Sequence, residues 1–256
     1  MVSINYIIAS FAEKTRSRSN EEISEQVLSI QIDTLCQILD EKDKAGISNL
    51  VKQVTIVIPP YNKANSYPKY YRKDVWLDKF AKYEDVSLVF QDYNGRNNHY
   101  SYDQWIQGML KYPQYDYHII IEDDYCVQPG NLTFDHDLVR VYKEKFPDDI
   151  GYLCSYANEH PRNIGHLHPA VSNGMISAKT IQYIEDPLTH YYNLRDHAQI
   201  AFGRLFTENN ISLADYRESY LVNFWSSDKK ILREFNLLEK EDHKYIFVPV
   251  QHLDIK

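Results

Sequence analysis

The chain has 256 residues, 43% hydrophobic and 25% charged, with a formal net charge of -8. This is the composition of a soluble globular protein large enough for a substantial core, and its acidic balance argues against a nucleic-acid partner, which would need clustered Lys and Arg. No stretch approaches the roughly 18 apolar residues of a membrane span, and the N-terminus lacks a basic region followed by a long apolar one. Cys36, Cys126 and Cys154 are few, odd in number and without metal-type spacing, so a reducing compartment and a cytoplasmic location are expected.

Met1 to Phe11 predicts a first strand, with Ile4, Tyr6, Ile7 and Ile8 in buried positions. Ser10 stands at its carboxyl end, and Arg16 lies in the loop beyond it. Ser19 and Glu22 have the spacing of a capping box. Leu28, Ile32, Leu35 and Leu39 then recur at helical intervals until Gly46 closes the segment. Val54 to Ile58 predicts a second strand, stopped by Pro59-Pro60. Strand, helix, strand is the unit that requires a parallel sheet. Beyond a loop from Tyr61 to Lys73, Val75 to Tyr83 predicts a short helix and Ser87 to Gln91 a third strand. Asp92 to Arg96 forms a turn, with Gly95 available for positive φ. Ser101 to Leu110 predicts a helix that carries Trp105, Ile106, Met109 and Leu110 inward.

Tyr115 to Pro129 is the stretch around which the rest is organised. Ile119 to Ile121 form an apolar run suited to a buried strand, and three acids come immediately after it, Glu122, Asp123 and Asp124. Such a strand delivers the residues after its last one to the carboxyl edge, where open α/β sheets bind ligands. An acidic triplet at a strand end also suits a solvated turn. Three carboxylates packed together repel one another unless a cation sits among them, and hard oxygen ligands suit Mg²⁺ or Mn²⁺.

The second half is less regular. Helices are predicted over Asp137 to Phe146, Ser177 to Ile184, Asp196 to Asn210 and Ser227 to Phe235, and strands over Ile150 to Tyr156, Val171 to Ile176 and Tyr245 to Val250. Asn158 to Pro169, rich in His, Pro, Gly and Asn, predicts a loop. His166 and His168 lie in the stretch Gly165 to Asn173, where an acceptor could bind, and Trp225 with Tyr216, Tyr220 and Phe224 could stack on a sugar ring, although aromatic clusters are more often core. No linker or repeat divides the chain, which implies one α/β domain with a nucleotide half, about 1–130, and an acceptor half, about 131–256.

In this order of parts the chain resembles the GT-A glycosyltransferases, which move a sugar from a nucleotide diphosphate donor to an acceptor. Glu122-Asp123-Asp124 is similar to that family's DxD motif. The resemblance implies a mostly parallel, Rossmann-like sheet flanked by helices, a Mn²⁺ or Mg²⁺ cofactor, a UDP- or GDP-sugar donor and a carbohydrate acceptor. It implies that Asp124 is the metal ligand, while Glu122 or Asp123 faces the donor ribose or sugar. Asp92, Gly95 and Arg96 would touch the nucleotide, Arg96 or Arg16 would assist with phosphate charge, and Ser10 completes the donor side. Asp196, ahead of an apolar helix with Gly203-Arg204, resembles the carboxylate that serves as general base in inverting members; its position equally suits a helix N-cap. His252 resembles the late histidine that completes the metal shell.

Neither a Walker A loop, a dinucleotide glycine motif nor a Gly-x-Ser-x-Gly elbow is present. Two alternatives to glycosyl transfer stand. One is nucleotidyl transfer to a sugar phosphate, although Ser10 to Ser19 lacks the glycine-rich loop usual there. The other is a non-catalytic protein of the same fold that binds a glycan or a partner.

Overall fold

In the computed structural model the described residues are 2–10, 21–58, 72–93, 100–123, 125–154, 157–159, 167–169, 173–194, 198–215, 221–223 and 244–249. The first half alternates strand and helix: β1 (Ile4–Ala9), α1 (Glu21–Ala45), β2 (Val51–Ile58), α2 (Lys73–Phe80), β3 (Ser87–Asp92), α3 (Tyr100–Lys111) and β4 (Tyr117–Glu122). Then come β5 (Tyr125–Val127), α4 (Phe134–Lys145), β6 (Tyr152–Cys154), β7 (Ala157–Glu159), β8 (Leu167–Pro169) and β9 (Gly174–Ser177). The described elements end with α5 (Ala178–Tyr183), α6 (Pro187–Asn193), α7 (Ala198–Thr207), β10 (Leu213–Asp215), β11 (Leu221–Asn223) and β12 (Lys244–Pro249).

Seven strands form the main sheet in the order β10-β6-β9-β4-β1-β2-β3. β1 pairs in parallel with both β2 and β4, and β2 with β3. β9 runs antiparallel to β4 and β6, so the sheet is mixed but mostly parallel, as expected. Alternate residues of β1 and β4 face two separate cores, the strand periodicity of two made visible. Ile4, Tyr6, Ile8, Ile119 and Ile121 pack with Ile32, Leu35 and Leu39 of α1 and with Leu138 and Tyr142 of α4. Ile7, Ala9 and Ile120 pack on the other face with Trp105 and Met109 of α3 and with Phe202 and Phe206 of α7.

Gly46 closes α1 at φ +65°, with the Ile47 amide donating to the Lys42 carbonyl at 2.9 Å, the wide turn that a left-handed residue permits. Gly108 lets α3 settle on β1, since a Cβ there would lie 2.9 Å from Cγ2 of Ile7. On the far face Lys42 and Asp135 form a buried ion pair at 2.6 Å. Asp135 also accepts the Leu50 amide at 2.9 Å, so one carboxylate fastens α1, the start of β2 and α4 together.

Two expectations are corrected. Asn158 to Pro169 is not all loop, because β7 and β8 pair antiparallel within it. Leu110, expected inward, is exposed, about 100° round the helix from the buried Met109. β5 pairs with β12 in a second, three-stranded sheet, β11-β12-β5. No helix among the described residues is long and apolar enough to cross a membrane.

Candidate active site at the carboxyl edge of the sheet

Strand register aligns the carboxyl ends of four neighbouring strands. Ala9 pairs with Val57 on one side and Glu122 on the other, and Ile58 pairs with Asp92. The Ser10 amide continues the ladder to the Val57 carbonyl at 3.3 Å, and the Tyr93 amide reaches the Ile58 carbonyl at 2.8 Å. Ser10, Asp92, Glu122 and Asp123 therefore emerge from one rim, with neighbouring strands about 4.8 Å apart. Asp92 is exposed, Glu122 half-buried, and Ser10 and Asp123 are buried.

The acidic strand end is held from several sides. Ser101 Oγ donates to Glu122 Oε1 at 2.8 Å, which fixes that side chain. The indole N–H of Trp105 donates to the Ile121 carbonyl at 3.1 Å, and the Glu122 amide donates to Oδ1 of Asn173 at 3.2 Å. Gln104 Nε2 approaches the Ser10 carbonyl at 3.4 Å. Three of these four groups come from α3, whose first turn lies at the carboxyl edge because the helix descends from there to the start of β4. Backbone groups that a continuing strand would satisfy are met here by side chains.

Beside this rim, Asp103 is fully buried in the first turn of α3. Its Oδ2 accepts the hydroxyls of Tyr93, in a very short contact, and of Tyr192 at 3.0 Å. Burial pushes the carboxyl up to about 6, while the two hydroxyls and nearby amides oppose the shift. At neutral pH it is a carboxylate taking charge-assisted hydrogen bonds, and the Tyr93 phenol is pushed well above the ordinary range by its own burial and by the hydrogen bond and charge of Asp103.

β12 ends at the same rim. It runs antiparallel to β5 with Phe247 opposite Val127, Val248 opposite Cys126 and Pro249 opposite Tyr125. β12 thus ends beside the residue after Asp124, heading toward the acidic triplet.

No protein-family model and no curated protein sequence matches the chain. Among solved structures, the glycosyltransferase GlyE of Streptococcus pneumoniae TIGR4 matches over 97% of this chain and 54% of its own, with 10% identity and a TM-score of 0.50. The fold is GT-A-like. This chain spans about half of GlyE. TarS of S. aureus matches over 84% of this chain and 35% of its own, with 9% identity and a TM-score of 0.45. A proposed glucose-1-phosphate thymidylyltransferase from Bacillus anthracis, solved in complex with a sucrose, matches over 83% and 87%, with 12% identity and a TM-score of 0.43.

Of the residues expected to form the site, the GT-A-like sheet brings Ser10, Asp92, Glu122 and Asp123 to one edge. Arg16, Gly95, Arg96, Asp124, Asp196 and His252 lie outside the described residues, as do His166, Tyr216, Tyr220, Phe224 and Trp225. Among the described residues no group of three His, Cys, Asp or Glu could hold a metal ion. Ser101, Asp103, Asn173 and Tyr192 were not anticipated. Ser101 and Asp103 did carry a signal, as polar residues in the first turn of a helix that comes after a strand end, where side chains meet backbone ends.

Proposed function

We propose that the chain is a metal-dependent glycosyltransferase that takes a sugar from a UDP- or GDP-sugar and delivers it to a carbohydrate hydroxyl, with inversion. The observation that carries this reading is the meeting of Ser10, Asp92 and the acidic strand end on one rim of a GT-A-like sheet, with β12 directed at the same place. The acidic strand end offers carboxylate oxygens, which suit Mn²⁺ or Mg²⁺. Asp124 holds the cation. His252 completes its shell, and it lies three residues beyond Pro249, a reach of roughly 10 Å at full extension. A bound divalent ion stabilises, as a Lewis acid, the charge that collects on the departing diphosphate.

The chain's own groups do the rest. Glu122, fixed by Ser101, and Asp123 face the ribose or sugar; Asp92 and the turn through Gly95 and Arg96 contact the nucleotide. Arg96 or Arg16 meets phosphate charge. Asp196 removes the proton of the attacking hydroxyl, a contribution of roughly 10²–10⁴-fold. The nucleotide half is about 1–130, the acceptor half about 131–256, and the three buried cysteine thiols suit a reducing cytoplasm.

Calorimetric titration with UDP- and GDP-sugars, with and without Mn²⁺, tests this. Metal-dependent binding of an intact donor supports it; turnover of a nucleoside triphosphate with a sugar phosphate would replace it with nucleotidyl transfer, and absence of binding with a non-catalytic role. Asp124→Ala should abolish metal-dependent binding, whereas Asp196→Ala should leave binding intact and slow the chemical step. Equal loss of binding in both variants would break that division of labour.

A further inference from the structure

We infer that Trp105 and Asn173 are positioning residues for the donor, holding the peptide between Ile121 and Glu122 so that the Glu122 carboxylate stands at the rim in a single orientation. The donor role rests on the function proposed above; the clamp itself does not. The Ile121 carbonyl accepts the Trp105 indole N–H at 3.1 Å, and the Glu122 amide donates to Oδ1 of Asn173 at 3.2 Å. These are the two polar groups of one planar peptide unit. A side chain from α3 and a side chain from the residue before β9 therefore fix that plane from opposite sides. Farther along the same residue, Ser101 Oγ donates to Glu122 Oε1 at 2.8 Å. Glu122 is held at its backbone and at the tip of its side chain at once.

Strand register explains the place of Asn173. The β4–β9 ladder runs from Tyr117 opposite Ser177 to Ile120 opposite Gly174. The amides of His118, Ile120 and Glu122 point to the same side, since alternate residues of a strand share a direction. Glu122 is the first of the three beyond the ladder, and a side-chain oxygen takes over as acceptor where the backbone pairing stops. Gly174 seats that side chain, because a Cβ there would collide with the Leu153 carbonyl and hold β9 away from β6. Asn173 and Trp105 are both completely buried. The indole stands edge-on to Tyr102, with ring centroids 5.2 Å apart, and tilted on Phe202 at 6.0 Å, so packing fixes the direction of its N–H. Ser101 and Trp105 lie one turn apart on α3, about 40° from each other around the axis, so one stripe of the helix grips both the peptide and the carboxylate. Glu122, Asp123 and Asp124 are consecutive acids, and repulsion drives unanchored carboxylates apart toward water. The clamp sets Glu122 against that repulsion before a donor arrives, which lowers the ordering cost of binding.

The test compares Asn173→Ala and Trp105→Phe, each alone and combined with Glu122→Ala, with wild type and with Glu122→Ala. The readouts are hydrogen exchange at the Glu122 amide and calorimetric titration of UDP- and GDP-sugars with Mn²⁺. Asn173→Ala should speed exchange of the Glu122 amide about 10-fold, with the amides of Ile7 and Ile56 unchanged. Trp105→Phe, which leaves the acceptor of that amide in place, should speed it less. Each single variant should weaken donor binding about 5-fold. In the Glu122→Ala background neither should weaken it further, because the group they position is gone; a merely structural role would lower affinity there as well. Unchanged exchange in Asn173→Ala, undiminished donor affinity in the single variants, or losses that add to that of Glu122→Ala would overturn the inference. The two substitutions lie on different elements, so the comparison survives if one variant does not fold. If wild type binds no nucleotide-sugar with Mn²⁺, the proposed function fails and the donor role with it, while exchange at Glu122 still decides whether the clamp exists.

Discussion

Replacing His118 by Leu should remove one of two opposing pH-dependent contributions to stability. The imidazole sits in β4, the strand that delivers the acidic triplet, paired across to Asn5 on one side and Ile176 on the other. It is fully buried, neither ring nitrogen has a partner among the described residues, and Asn5 turns its Oδ1 away toward Thr55 Oγ1 at 2.8 Å. Burial alone pushes the ring down to about 3, from an ordinary 6.5. The unfolded chain therefore binds a proton that the folded chain refuses. Stability is full above the unfolded value and is lost as pH falls below it, by roughly 1.4 kcal/mol per pH unit until the folded value is reached. Between pH 8 and pH 5 that amounts to about 2 kcal/mol. Asp103 acts with the opposite sign, because a carboxyl raised from 3.8 to about 6 takes up its proton first in the folded state. Its buried charge is relieved as pH falls through that same range, so the two contributions offset each other in wild type. The difference between wild type and His118→Leu isolates the histidine. Urea unfolding should show the variant equal to or more stable than wild type at pH 8, since Leu buries no unpartnered nitrogen. Its advantage should grow by about 2 kcal/mol at pH 5. A difference that stays constant with pH would mean the ring takes up its proton in the folded protein as readily as in the unfolded chain, and would refute the reasoning.

Three further perturbations probe other parts of the molecule. Asp135→Ala leaves the Lys42 ammonium, 1% exposed, without its carboxylate, and should cost about 3–5 kcal/mol in urea unfolding, whereas Lys42→Met combined with Asp135→Leu should recover most of that; a single variant as mild as the double would contradict the pairing. Gly174→Ala puts a Cβ 2.3 Å from the Leu153 carbonyl, so β9 and β6 must separate, and thermal unfolding should report a loss of about 1–3 kcal/mol. Ser101→Ala releases the Glu122 carboxylate and should weaken Mn²⁺-dependent donor binding about 5-fold with the melting temperature nearly unchanged; undiminished affinity would show that the orientation of Glu122 is not used.

The first half of the chain was legible because its signals are long and local. α1 shows its apolar stripe over many turns, Gly46 marks its end, and the isoleucine run of β4 is too short for a helix and too apolar for a loop. The sequence does not carry strand direction, so antiparallel β9 could not be foreseen between β4 and β6. Three-residue strands such as β5, β7 and β8 are too short to display a period of two, and their existence depends on partners far along the chain. α6 begins at Asp186, in the left-handed region at φ 43°, whose side chain accepts the Thr189 amide; the capping residue and Pro187 were present as signals, with too little helix behind them to stand out. In the site, Ser10, Asp92 and Glu122 were legible as residues at strand ends, and the register makes them neighbours. Ser101 and Asp103 showed only as polar residues in a first helical turn, and Asn173 not at all, since a polar side chain before a strand reads as solvent-facing until its buried partner is known.

Manganese itself offers the most direct test of the central claim. Adding Mn²⁺ with a nucleotide-sugar to the isotope-labelled protein should broaden the amide resonances of Ser10, Glu122, Asp123 and Tyr125 through the ion's paramagnetism, while those of Gly46 and Glu84, at the opposite edge, stay sharp. Broadening elsewhere in the molecule, or none at the carboxyl edge with donor present, would contradict the account.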